Sequence, residues 1–105
     1  MSKAKKKPSP NFSPSIIKYI FERDDGMCIY CGNPAMEIDH VIPAKDGGPN
    51  IRSNAVCVCR RCNRKKGRDS SDSNYLTRAI FWLLQKGEDI KWMDSFYERN
   101  ITQVD

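Results

Sequence analysis

Asp39 and His40 stand side by side in the stretch Glu37-Ile38-Asp39-His40-Val41-Ile42-Pro43, and His40 is the only histidine in the chain. Two Cys-x-x-Cys pairs bracket that stretch, Cys28/Cys31 before it and Cys59/Cys62 after it, and Asn63 follows the last thiol directly. Thiolates offered by two such turns from separate parts of a chain satisfy the tetrahedral preference of zinc with little strain. The oxygens of Asp39 and Asn63 suit a harder divalent cation, and histidine is the side chain type that exchanges a proton near neutral pH. A hard cation beside a proton acceptor is the equipment that phosphodiester hydrolysis needs. A lone histidine is ordinarily a surface or core residue, so His40 gains its chemical meaning from these neighbours.

The interval between the two cysteine pairs is 27 residues, longer than the common ribbon spacing, but a two-strand excursion fills it. Cys57 offers a second register, Cys57-Val58-Cys59, with poorer ligand spacing than Cys59/Cys62. On a regular strand Cys57 and Cys59 would share a face, which puts Cys57 near the zinc as a small buried hydrophobe.

The elements that must position these groups can be read around them. Residues 1–14, with Lys3, Lys5, Lys6 and Lys7 followed by three prolines, read as a disordered basic arm that either touches phosphates or only solubilises. Residues 15–105 read as one domain with its core at 23–68. Ser15 is placed to cap a helix bearing Ile16, Ile17, Ile20 and Phe21 and ending near Asp24-Asp25-Gly26. Glu37–Ile42 reads as a strand stopped by Pro43, and Ala55–Val58 as its partner after a Gly47-Gly48 loop. Arg60–Lys66 reads as a short basic helix with Gly67 as its C-cap. Its face through Arg60, Asn63 and Lys66 holds the strongest candidates for phosphate contact, with Arg61, Arg64, Lys65 and Arg68 around the edge. Two packing helices close the domain within 74–100, one running from Ser73 or Asn74 to about Lys86 and one from Asp89 to about Arg99. Trp82 and Trp92 there are open to either packing or a partner surface. The fold class expected is therefore α+β: a small zinc-bearing unit with flanking helices.

Fourteen of the 18 basic residues but only six of the 13 acidic ones fall in residues 1–68, the part that holds the ligand motifs. A positive surface attracts polyanions at long range, which favours DNA as the partner, with RNA left open, over a neutral substrate. No apolar segment follows Lys7, and the longest apolar run, Ala79–Leu84, is too short to span a bilayer. The expected compartment is the reducing cytoplasm, where paired cysteines serve metals more often than disulfides.

These motifs together resemble the HNH endonucleases, from about Arg23 to Lys66: Cys28-Ile29-Tyr30-Cys31-Gly32, Glu37-Ile38-Asp39-His40-Val41-Ile42-Pro43, Gly47-Gly48, Ser53-Asn54, and Cys59-Arg60-Arg61-Cys62-Asn63-Arg64-Lys65-Lys66-Gly67. The resemblance implies a ββα-metal unit, two strands and a helix around one divalent ion, Mg²⁺ or another metal. It implies that His40 is the general base, that Asp39 binds the catalytic ion, and that Asn54 ties loop to strand and orients His40. Asn63 takes the third signature position, where many members carry histidine. Cleavage to a 3′-hydroxyl and a 5′-phosphate is implied likewise. Adjacent residues on a strand face opposite sides, so Asp39 and His40 can serve one site only if the strand bends or ends near His40. Two rival readings remain: a non-catalytic zinc-ribbon module that binds nucleic acid through the same cysteines and basic helix, and a protein-interaction domain that uses Trp82 and Trp92.

Overall fold

A computed structural model describes residues 12–68 and 73–101. Most of the basic arm therefore lies outside the described residues, but its last part does not. Helix α1 is Pro14–Arg23, two residues longer at its start than a Ser15 cap would allow. Ser13 accepts a hydrogen bond from the Ile16 N–H, and Pro14 takes the first helical position, where the missing N–H costs nothing. Phe12, just before that cap, is 6% exposed and belongs to the core.

Strand β1, Glu37–His40, pairs antiparallel with β2, Ala55–Val58, in the register Glu37 to Val58 and His40 to Ala55. β1 stops two residues earlier than the sequence suggests. After His40 the backbone partner becomes Asn54, which belongs to a 3₁₀ turn at Arg52–Asn54 rather than to the strand. Every residue of β2 is buried, and alternation sends its side chains into two cores. Ala55 and Cys57 pack with Phe12 and Ile20 on the α1 side, while Val56 and Val58 face the other cysteines and the C-terminal helices.

Helix α2, Arg60–Arg68, runs through Gly67 instead of ending at it, because Gly67 does not adopt the positive φ that a C-cap glycine supplies. Helix α3, Ser73–Gln85, does end that way: Gly87 has φ 79°, and the Glu88 N–H reaches back to the Leu83 carbonyl. Helix α4, Trp92–Ile101, starts three residues later than expected because the Asp89 carboxylate holds a local turn through the Lys91 N–H.

A buried charged network joins α1 to the rest. Asp24, 2% exposed, accepts from Arg23, from the Cys57 backbone N–H at 3.0 Å and from Trp82 Nε1 at 2.8 Å. Glu88 accepts from Tyr19 and Arg23 and pairs with Arg52. Trp92 donates to Ser53 Oγ at 2.9 Å. Both tryptophans are thus tied into the domain by the only polar atom of their side chains, which fits the packing alternative rather than a partner surface.

Candidate metal centre and catalytic cleft

The first cysteine pair sits on a tight turn. Gly32 has φ 81° and donates its N–H to the Cys28 carbonyl, a conformation that glycine adopts without penalty. The Ile29 N–H bonds to the Cys57 carbonyl, so the turn is fastened to β2. In the second pair, Cys59 stands ahead of α2 where a cap residue would, and its sulfur accepts from the Cys62 N–H at 3.4 Å. The four sulfurs of Cys28, Cys31, Cys59 and Cys62 lie within 4.8 Å of one another, and those of Cys31 and Cys59 are 3.6 Å apart. Metal–sulfur bonds of about 2.3 Å in a tetrahedron give sulfur separations of about 3.8 Å, so the cluster fits an ion such as zinc. The Cys62 N–H lowers the pKa of the Cys59 thiol, whereas burial raises that of Cys62.

Cys57 is not part of this cluster. β2 ends at Val58, so the chain turns before Cys59 and the two thiols part company. Cys57 is fully buried against Ile20, and desolvation pushes its thiol up to about 12.

On β1, alternation sends Glu37 and Asp39 toward α2 and His40 toward α1. The α2 face predicted from spacing exists, and it meets those carboxylates directly. Arg60 pairs with Glu37 at 3.4 Å, Asn63 donates to Glu37 at 2.7 Å, and Lys66 sits 2.5 Å from Asp39 while also donating to the His40 carbonyl at 2.9 Å. Residues two apart on the strand therefore match residues three apart on the helix. The hydrogen-bond partner of Asn63 is Glu37, not Asp39. Lys66 and Asp39 are each 16% exposed in their side chains, so this ion pair is shielded from water. Arg61, Arg64 and Lys65 are exposed.

His40 points its Nε2 at the Asn50 side-chain oxygen, 2.7 Å away, and its ring lies on that of Phe12 with centroids 4.3 Å apart and planes 27° from parallel. β1 ends at His40, and both His40 and Asp39 line one cavity of about 470 Å³, together with Asn63, Lys66, Tyr75 and Tyr97.

Asn54 is fully buried and grips the chain just past His40. Its Oδ1 accepts the Ile42 N–H at 2.8 Å, and its Nδ2 donates to the carbonyls of Ile42 and Pro49. That clamp depends on Gly48. A Cβ there would stand 2.6 Å from the Ile42 carbonyl carbon and 3.0 Å from Asn54 Nδ2. The sequence marks Gly47-Gly48 as a turn but does not reveal this contact. Phe12 and Asn50 carry no sequence signal toward His40 at all.

The HNH endonuclease family model matches residues 28–69. Over 51 residues, 44% of this chain and 5% of the relative, the sequence is 45% identical to the CRISPR-associated endonuclease Cas9 of Corynebacterium diphtheriae. Over 62 residues, 50% of this chain and 22% of the relative, it is 32% identical to the type IV methyl-directed restriction enzyme EcoKMcrA of Escherichia coli. A longer match, 28% identical over 113 residues, covers 88% of this chain and 43% of the Septu protein PtuB of Bacillus thuringiensis. The chain thus spans less than half the length of each of these relatives. Among the described residues, no helix is long and apolar enough to cross a membrane.

Proposed function

We propose, from the premise that residues 28–69 are an HNH endonuclease unit, that this chain is a metal-dependent endonuclease hydrolysing phosphodiester bonds of DNA, with His40 as general base. One observation carries the reading. Cys62 belongs to the thiol cluster, and the next residue, Asn63, is bonded to the strand that bears Asp39 and His40. A structural ion would thereby fix the end of the helix that faces the reacting groups. Zinc is the ion proposed for the cluster, because its four thiolates leave no open position.

Asp39 and Asn63 supply a carboxylate and an amide oxygen, a donor pair that fits a small divalent ion such as Mg²⁺, which keeps several of its own waters. When bound, such an ion neutralises charge that builds on the phosphate. The chain's own groups do the rest. The Asn50 oxygen accepts the bond from His40 Nε2, which puts the proton on that nitrogen and leaves the Nδ1 lone pair to take a proton from the attacking water. Asn54 holds the strand end that carries His40. Lys66 has a phosphate oxygen as an alternative partner to Asp39, and Arg60, Arg61, Arg64 and Lys65 surround the same helix. The family resemblance implies products with a 3′-hydroxyl and a 5′-phosphate.

The rival, a zinc-bearing module that binds nucleic acid without cutting it, draws support from the Lys66–Asp39 pair, which already neutralises the proposed metal-binding carboxylate. Incubating zinc-replete protein with supercoiled plasmid and Mg²⁺, Mn²⁺ or Ni²⁺, against an EDTA control, separates the two. Nicked or linear product that EDTA abolishes supports the nuclease. Retained DNA binding with no cleavage in any metal supports the module.

A further inference from the structure

Phe12 lies 16 residues before the segment matched to the HNH family, so family membership does not account for its place beside His40. Its ring is 6% exposed, fixed by Ile20, Ala55 and Cys57, and stacked on the imidazole at 4.3 Å. His40 is at the end of β1, where pairing to Ala55 holds its backbone but leaves the side-chain torsions open. Asn50 fixes one ring atom, and a single hydrogen bond still allows the ring to swing about it. A flat, buried partner on the ring face removes that freedom, and offset stacking favours the near-parallel arrangement observed.

We propose that Phe12 is a positioning residue for His40: its ring sets the plane of the imidazole, and with Nε2 held by Asn50 it fixes the direction in which Nδ1 is offered to the attacking water. The orientation of the catalytic group is then supplied by the segment ahead of α1, outside the ββα unit. This proposal rests on the reading of His40 as general base, so its test has arms that do not depend on cleavage. It also differs from simple core filling, because an aliphatic side chain can fill the same space without orienting a ring.

The only histidine of the chain gives imidazole NMR signals that need no assignment. In the zinc-loaded full chain, the His40 ring protons are expected upfield of free histidine, with NOEs to the Phe12 ring. Phe12→Leu should keep zinc content and cooperative melting, move the His40 signals downfield, and lower kcat by on the order of 10- to 10²-fold with KM unchanged. Phe12→Tyr should restore both the shift and kcat. A wild-type spectrum without Phe12–His40 NOEs overturns the proposal whether or not any variant folds. So does a folded Phe12→Leu protein whose His40 signals or kcat do not change. If His40→Ala cleaves as well as wild type, the general-base reading fails, while the NOEs and shifts still judge the stack.

Discussion

The thiol cluster and the Asp39–His40 cleft adjoin at Cys62 and Asn63, yet they are assembled by different means. The cluster needs two short turns and closes on itself, with three of its four cysteines buried. The cleft draws on partners spread along the chain: Phe12 ahead of α1, Asn50 and Asn54 in the loop, and Asn63 and Lys66 on α2. It also stays open as a cavity. Short-range geometry builds the part that holds the domain together, and long-range packing aims the part proposed to react. Damage to the first should therefore destroy both regions, and damage to the second should spare the first.

The largest expected effect is on the cluster side. Cys59→Ser should lower zinc from one ion per chain to nearly none and unfold the central unit, since thiolate coordination contributes folding free energy directly. Metal analysis and circular dichroism on the same sample check this, and a folded, zinc-free variant would break the comparison. Next comes Asp39→Ala, expected to cut cleavage by at least about 10²-fold while zinc content is unchanged. Raising the Mg²⁺ concentration should restore part of that loss if the carboxylate acts through ion binding.

Gly48→Ala should be intermediate. The new methyl meets the Ile42 backbone, which cannot swing aside as a flexible side chain would. The cost should exceed the roughly 1–3 kcal/mol typical of overpacked core side chains, because backbone must move, and it is read as a lower melting temperature, with reduced cleavage as the Asn54 clamp loosens. The smallest effect concerns DNA affinity. Lys66, shielded against Asp39, has less to give a polyanion than the exposed Arg60, Arg61, Arg64 and Lys65. Replacing Arg61, Arg64 and Lys65 together should reduce the salt slope of binding by about 2–3 units, and replacing Lys66 alone by well under about 1. A full unit lost on replacing Lys66 would mean that its ion pair with Asp39 opens on contact with DNA.

How much of this is visible in the sequence follows the same division. The cysteine spacing points to the cluster, and Ala55–Val58 is readable as a strand to the residue, because both signals are local. The α2 face through Arg60, Asn63 and Lys66 is legible as a helical period, but its partners Glu37 and Asp39 are not, since periodicity does not say what a face will meet. Cys57 is the small buried hydrophobe expected, but its side chain belongs to the α1-side core rather than to the thiol cluster, because alternation holds only to Val58, one residue short of Cys59. Trp82 bonded to Asp24, and Phe12 stacked on His40, join residues far apart in sequence through contacts that no local pattern encodes.

The proposed role of His40, to perform chemistry without ligating either metal, is tested most directly by His40→Ala in the plasmid assay, with zinc content, melting and DNA affinity measured on the same preparation. Cleavage should be lower by on the order of 10²- to 10⁴-fold, with no rescue by added Mg²⁺, zinc content and DNA affinity near wild type, and melting still cooperative though lowered by the lost contacts with Phe12 and Asn50. Cleavage at the wild-type rate in a nuclease-free preparation would contradict it.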